Sequence, residues 1–391
     1  MNLVDRDIIC LSTHYWDDRW FRKQEFMSRF ARRNRVLYVE PSFSMVRGPD
    51  NHLAGIATNR FVGGRLERRS ENVHLLKPPR ALPKWNHPRV DRVTYRRFGR
   101  TISQTAQHLG LRRPILWIYN PSYYQALDLI PHDRVVFDLV DDLAAYTGEG
   151  NARAIYDEAS VDGLIRRCDL LIVTAKTLAE RYGALATRLE LVPNGFDAQL
   201  FTHGDSTPTH IDSLQGLRRP LLGFVGTLFV FIDYDLLEQV ARAHPDKTLV
   251  LVGRVEGCQT QVRRLCKLGN VVHLGQQPRA SIPGYMSAFD VCLNPFRVGR
   301  VADSVSPLKV YEYLATGRPV VSTPMRALQM EDAGQVVHFA QSAEDFCRQI
   351  DQCLTLDVQR AAKVRQEAVA GNSWERLFER VDRAAQEVAG A

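Results

Sequence analysis

The chain has 391 residues, 45% hydrophobic and 24% charged, with a net charge of +7. That length is too great for one core and comfortable for two. No run approaches the roughly 20 apolar residues of a membrane helix. The seven cysteines include no Cys-x-x-Cys pair and no histidines at ligand spacing, which favours reduced thiols over a metal or disulfide framework.

Reading along the chain, strand-like and helical stretches alternate, as in parallel sheets with helices on both faces. The N-terminus lacks the basic-then-apolar layout of a secretory signal, which suits a cytoplasmic protein. Strands are expected at 7–12, 35–39, 73–76, 115–119, 135–139, 170–174 and 189–192, with helices at 19–32, 89–109, 123–129, 152–167 and 177–182. Leu109-Gly110 is a helix stop, and Asn120-Pro121-Ser122 a turn and cap. Residues 201–218 contain a Thr, His, Asp, Ser and Gly-rich aperiodic stretch and read as a linker. Six more strands follow at 221–225, 248–252, 271–274, 291–294, 319–322 and 335–338, with helices at 234–243, 261–268, 282–288 and 308–316, and tail helices at 343–354 and 373–388. The expected domains are therefore 1–200, then, after the linker, 219–372, with a final helix in 373–391 returning to the first.

The charge is unevenly spread. Residues 1–120 hold 23 Lys/Arg against 10 Asp/Glu, and the remainder holds 28 against 34. A basic first half suits an anionic partner, such as a membrane surface or lipid-linked phosphate, and equally a solvated arginine-rich face. The helix at 89–109 carries Arg92, Arg96, Arg97 and Arg100, a pattern that could lie on an anionic membrane. No nucleic-acid motif accompanies the charge.

The densest chemistry lies in Ser304-Val-Ser-Pro-Leu-Lys-Val-Tyr-Glu312-Tyr-Leu-Ala-Thr-Gly-Arg-Pro-Val-Val-Ser322. It reads as a loop, a helix stopped by Gly317, and a buried strand. A helix N-terminus outside a strand's carboxyl end favours an anion such as phosphate. Lys309 can add a formal charge, and Glu312 can accept hydrogen bonds from ribose hydroxyls.

This segment resembles the donor-binding signature of GT-B glycosyltransferases, especially glycosyltransferase family 4. Val192-Pro-Asn-Gly-Phe-Asp, Gly223-Phe-Val-Gly226 and Val250-Leu-Val-Gly253 are similar to further family segments. Residues 8–40 and Phe137-Asp-Leu-Val-Asp-Asp resemble bacterial transferases of the teichuronic-acid biosynthesis type. The resemblance implies an α/β fold of two Rossmann-like, doubly wound domains facing a cleft. It implies a nucleoside diphosphate sugar as substrate (UDP or GDP), no cofactor, no metal and a retaining reaction. Two departures stand out. The family's Arg after the glycine turn is Thr227 here, leaving Arg254 as the substitute, with Arg297 and Arg300 further candidates. The family's first Glu, eight residues before its second, falls on Ser304, beside Asp303.

The candidate donor site is accordingly Gly226, Thr227, Arg254, Ser306, Lys309 and Glu312. Asp141 and Asp142, beyond a strand end, are candidates for a general base, for sugar-hydroxyl binding, or for a capped acidic turn. His14, Trp16 and Arg22 follow the first strand and could meet an acceptor. Asp233-Tyr-Asp235 has metal-binding form but precedes a helix it can cap. The expected function is transfer of a sugar to a glycan or lipid-linked acceptor in bacterial surface polysaccharide synthesis, by a cytoplasmic protein peripheral to the inner face of the membrane. A sugar-nucleotide epimerase or a non-catalytic nucleotide-sugar-binding subunit remain alternatives.

Overall fold

Short β-branched runs bounded by turns become the strands of two largely parallel sheets. The computed structural model describes residues 3–17, 20–41, 65–78, 88–142, 158–202 and 211–390. The chain divides into two units, Met1–Pro193 with Leu377–Ala391, and Asn194–Arg376. Of the expected linker, residues 203–210 lie outside the described residues, and Asp212–Leu214 is a 3-10 turn of the second unit.

The first unit contains β1 (Asp7–Leu11), β2 (Arg35–Val39), β3 (Arg65–Arg68), β4 (Val73–Lys77), β5 (Ile115–Ile118), β6 (Arg134–Leu139), β7 (Leu170–Val173) and β8 (Leu189–Leu191). Their order in the sheet is β3-β4-β2-β1-β5-β6-β7-β8. All pairs are parallel except β3 on β4. Every residue of β1, β5 and β7 is buried, which is why they read as unbroken apolar runs. The sequence gives no sign of β3, because Arg-Leu-Glu-Arg is a charged edge strand without an apolar pattern.

The helices here are α1 (Arg22–Phe30), α2 (Pro88–His108), α3 (Glu158–Ile165) and α4 (Lys176–Tyr182). Two expectations are corrected. Helix α1 opens at Arg22, not 19, where the Phe21 amide donates to Gln24 Oε1 at 3.1 Å. Residues 123–129 belong to a 3-10 segment, Pro121–Leu129, entered through a cap in which Asn120 Oδ1 accepts from the Ser122 amide at 3.0 Å. Residues 152–157 of the expected third helix lie outside the described residues.

The second unit contains β9 (Leu221–Val225), β10 (Thr248–Val252), β11 (Val271–His273), β12 (Val291–Asn294), β13 (Val320–Ser322) and β14 (His338–Phe339), ordered β11-β10-β9-β12-β13-β14 and all parallel. Its helices are α5 (Ala198–Thr202), α6 (Tyr234–Ala243), α7 (Gln259–Leu265), α8 (Ile282–Ala288), α9 (Leu308–Ala315), α10 (Arg326–Gln329), α11 (Ala343–Thr355) and α12 (Val358–Val369). Strand alternation feeds two cores. Leu222 and Phe224 enter one, Leu221 and Val225 the other.

The strand expected at 335–338 is displaced. Asp332–Val336 form a 3-10 turn, because the chain doubles back so tightly that a Cβ on Gly334 would lie 2.2 Å from the Leu328 carbonyl oxygen. Helix α12 was not anticipated. Its buried Arg365 donates to the Gly317 carbonyl at 3.0 Å, a long-range bond no local pattern announces.

A last helix, α13 (Trp374–Gly390), packs with the first unit. Its Asp382 accepts from the Leu3 amide at 3.0 Å, and its Val388 carbonyl accepts from Arg134 Nε at 2.7 Å. Phe378 meets the Phe30 ring at 4.8 Å between centroids.

Candidate functional site

In the second sheet the strand order reverses between β9 and β12, the place where open α/β sheets bind ligands beyond their strand ends. These two strands pair only at Leu222–Val291 and Gly223–Cys292. Further along they part, and the backbone of Val225 needs another partner. Tyr313 of α9 supplies it. The Val225 amide donates to the Tyr313 hydroxyl at 2.7 Å, and that hydroxyl lies 3.3 Å from the Val225 carbonyl oxygen. Helix α9 is thereby fixed at the opening of the crevice.

Two glycine turns border the same edge. Gly253 has φ +145°, and a Cβ there would lie 1.8 Å from the Gly226 carbonyl oxygen. Only glycine permits this approach. The turns then run side by side, with the Leu228 amide donating to the Arg254 carbonyl at 2.9 Å. Arg254 thus stands beside Thr227. Its Nη2 pairs with Glu256, and its Nε is buried without a partner.

The loop before α9 is held by a run of hydrogen bonds. The Asn194 amide donates to Ser306 Oγ at 3.2 Å, and Asn194 Nδ2 to the Ser306 carbonyl at 2.9 Å. Ser306 Oγ lies 2.8 Å from the Tyr311 hydroxyl, which in turn donates to Glu331 Oε2. Burial pushes the Tyr311 phenol well above its ordinary range, and the Glu331 carboxylate adds to the effect, so it remains a donor. Ser306 is 1% exposed. It shapes the turn from within and does not present its hydroxyl to solvent. Lys309 and Glu312 are on α9 itself, their side chains 35% and 13% exposed and joined at 2.6 Å.

The remaining donor-side candidates have identifiable tasks. Asp303 Oδ1 accepts from the Arg326 amide at 3.1 Å, and Ser304 Oγ donates to the Arg300 carbonyl at 3.0 Å. Asp233 caps α6 through the Leu236 amide at 2.9 Å, while Asp235 pairs with Arg264. Among the described residues, no three His, Cys, Asp or Glu are grouped so as to hold a metal ion.

In the first unit the order reverses between β1 and β5. His14 follows β1, half-buried, its ring 4.7 Å from that of Phe21. Trp16 is 7% exposed and lies edge-on to Tyr38 at 5.0 Å. Arg22 is turned inward. Its Nε donates to both Asp138 oxygens at 3.0 Å and its Nη1 to the Val192 and Pro193 carbonyls at 2.9 Å. Trp16 and Arg22 therefore pack largely within the unit, with the Nη2 of Arg22 left buried without a partner. Asp142 is buried and paired with Arg181, whereas Asp141 is half-buried at the end of the described stretch.

Asn194, Tyr311, Tyr313 and Glu331 were missed from the sequence. The only signal was the Val-Pro-Asn-Gly turn, since the other three read as ordinary helix or loop residues.

Residues 219–356 match the family model described as glycosyl transferases group 1. The chain is 24% identical over 282 residues to TuaH of Bacillus subtilis (strain 168), named as a teichuronic acid biosynthesis glycosyltransferase, covering 69% of this chain and 71% of TuaH. A sucrose-phosphate synthase from Thermosynechococcus elongatus has the same fold, with a TM-score of 0.73 at 16% identity over 98% of this chain and 99% of that one. HepE of Anabaena, solved with UDP and glucose, gives 0.67 at 15% identity over 98% and 100%. Residues 219–356 thus match the group 1 glycosyl transferases, in a chain with the GT-B fold.

Proposed function

We propose that the chain transfers a sugar from a nucleoside diphosphate donor to a glycan or lipid-linked acceptor of a bacterial surface polysaccharide, with no metal and with retention of configuration. One observation carries the donor half. Lys309 and Glu312 stand on a helix stitched to the end of β9, at the edge that also bears the Gly226–Thr227 and Gly253–Arg254 turns. Lys309, Arg254 and the backbone amides of these turns would neutralise the departing diphosphate, the task a metal otherwise performs. Glu312 would hold the ribose. UDP is the favoured carrier, because HepE was solved with UDP-glucose and an E. coli trehalose-6-phosphate protein with UDP-2-fluoro glucose. The polysaccharide assignment rests on the name of TuaH.

No helix among the described residues is long and apolar enough to cross a membrane. Peripheral attachment at the inner face would use α2, where Arg92, Val93, Arg96, Arg97 and Arg100 are exposed on one stripe.

A thermal-shift screen across UDP-, GDP- and dTDP-sugars tests the reading. A ligand at 100 times its dissociation constant adds about 2.7 kcal/mol, and the absence of any shift would overturn it. A second reading, a non-catalytic nucleotide-sugar-binding subunit, is favoured by Ser304 at the family's first Glu position and by the engagement of Asp303 as a cap. Such a subunit would show the shift but never hydrolyse the donor.

A further inference from the structure

At the strand reversal of the first unit stands a buried cation with no task in the account above. Lys23, the second residue of α1, is 4% exposed. Its ammonium lies 5.0 Å from the centre of the Tyr119 ring, and Tyr119 directly follows β5. The other groups facing it are Cys10 of β1, Asp138 of β6, Asp141 beyond β6, and Arg22 on its own helix. Asp138 is already taken by Arg22. Among the described residues Lys23 forms no hydrogen bond and no ion pair, and Arg22 Nη2 beside it is buried without a partner.

Burying a charge without a partner is costly. Burial lowers Lys23 to about 8, with Asp141 and Asp138 acting the other way. The face of the Tyr119 ring under the ammonium offsets part of that cost but supplies no hydrogen-bond acceptor such as an oxyanion would. An ammonium with no hydrogen-bond or carboxylate partner, next to the orphaned Arg22 Nη2 at a topological switch point and the N-terminus of a nine-residue helix, is what an incoming anion would complete.

We propose that Lys23 is the cationic anchor of an oxyanion subsite in the first unit, taking a phosphate or carboxylate carried by the acceptor. The identification of that oxyanion with the acceptor rests on the glycosyltransferase reading. The subsite itself rests on the cluster at β1, β5 and β6.

The test uses the intact wild-type chain and its eight lysines. Competitive labelling with isotopic acetic anhydride, resolved by mass spectrometry across the alkaline range, gives each lysine its own titration midpoint. Runs in chloride, inorganic phosphate and acetate are compared at matched ionic strength. An anion seated within ~4–6 Å of the ammonium moves its midpoint up by roughly 1–3 units. The expected result is a saturable upward shift of Lys23 and slower acylation, with Lys77 and Lys176 unmoved. A response to phosphate but not acetate assigns a phosphate, and the reverse assigns a carboxylate. No shift with either anion, or one shared by all lysines, overturns the subsite. The thermal-shift screen across UDP-, GDP- and dTDP-sugars, run on the same sample, separates the two ideas. An unmoved Lys23 with an intact nucleotide-sugar shift removes the subsite alone, whereas no shift with any of the UDP-, GDP- and dTDP-sugars removes the transferase reading.

Discussion

Lys309 Nζ donates to a Glu312 carboxylate oxygen at 2.6 Å, three residues further along α9. Such spacing places both groups on one helix face, so each holds the other in position at the sheet edge. A nucleoside diphosphate would compete for both, its phosphates for Lys309 and its ribose for Glu312. Glu312→Gln should weaken nucleoside diphosphate binding by roughly 1.5–3 kcal/mol, the value of a charged hydrogen bond. That is a loss of about 10- to 150-fold. Lys309→Met should weaken the diphosphate while leaving the bare nucleoside unaffected. Calorimetry with both ligands checks this, and unchanged affinities in both variants would remove the assignment.

Much of this site was legible because its signals are local. The Ser-Pro-x-Lys loop, the in-phase Glu312 and the stop at Gly317, with φ +76°, lie within one short segment. Strands buried on both faces announced themselves as apolar runs, whereas β3 on its charged edge did not. What stayed hidden depends on distant partners. Nothing near Tyr311 predicts Glu331, twenty residues on, or the link through Ser306 to Asn194, 112 residues before it. Likewise Arg22 follows the first strand as a ligand-binding residue might, yet Asp138 and the Val192 and Pro193 carbonyls draw it inward.

Arg254 is expected to carry charge that Thr227 lacks. Its guanidinium is partly exposed and its Nε lacks a partner, so it can turn from Glu256 towards a phosphate. Arg254→Ala should lower turnover more than it lowers affinity for the nucleoside. Equal effects on both, or none, would assign the arginine to surface pairing with Glu256.

Tyr311→Phe isolates the buried hydrogen-bond run from the packing of the ring. The variant leaves Ser306 and Glu331 each short of a partner, a loss of about 1–3 kcal/mol. Because the run holds the loop entering α9, donor affinity should fall while kcat at saturating donor changes little. Glu331→Gln alone, which can still accept from the intact Tyr311 hydroxyl, should retain most of the donor affinity. A fall in melting temperature with unchanged donor binding would mean that the run serves stability alone.

The arginine stripe of α2 predicts salt-sensitive capture by vesicles. Among the described residues none of Arg92, Arg96, Arg97 or Arg100 has an ion-pair partner within 4 Å, and Val93 beside them is 57% exposed. Each well-placed basic residue adds roughly 1 kcal/mol at an anionic surface, screened over about 8 Å at physiological salt. Sedimentation should show binding to anionic vesicles at low salt and release at moderate salt. Changing all four arginines to glutamine should abolish it. Equal partitioning to neutral and anionic vesicles would instead mark a solvated face.

The two aspartates beyond β6 should behave differently despite being adjacent. Asp142 is buried against Arg181, which also reaches Glu158, so it is a structural anchor. Losing one partner of a fully buried pair costs about 3–5 kcal/mol. Arg181 is 29% exposed, so Asp142→Asn should cost less, on the order of 2 kcal/mol, or roughly 4–8 °C in a unit of this size. Asp141, half-buried beyond the same strand, is the candidate for meeting an acceptor hydroxyl. In a retaining transfer no separate base is required, and Asp141→Asn should raise the acceptor KM while donor affinity stays constant. A loss of ~10²–10⁴-fold in kcat, with an inverted product, would instead make Asp141 a general base and refute retention. Melting curves for Asp142→Asn and anomeric analysis of the product formed by Asp141→Asn distinguish these outcomes.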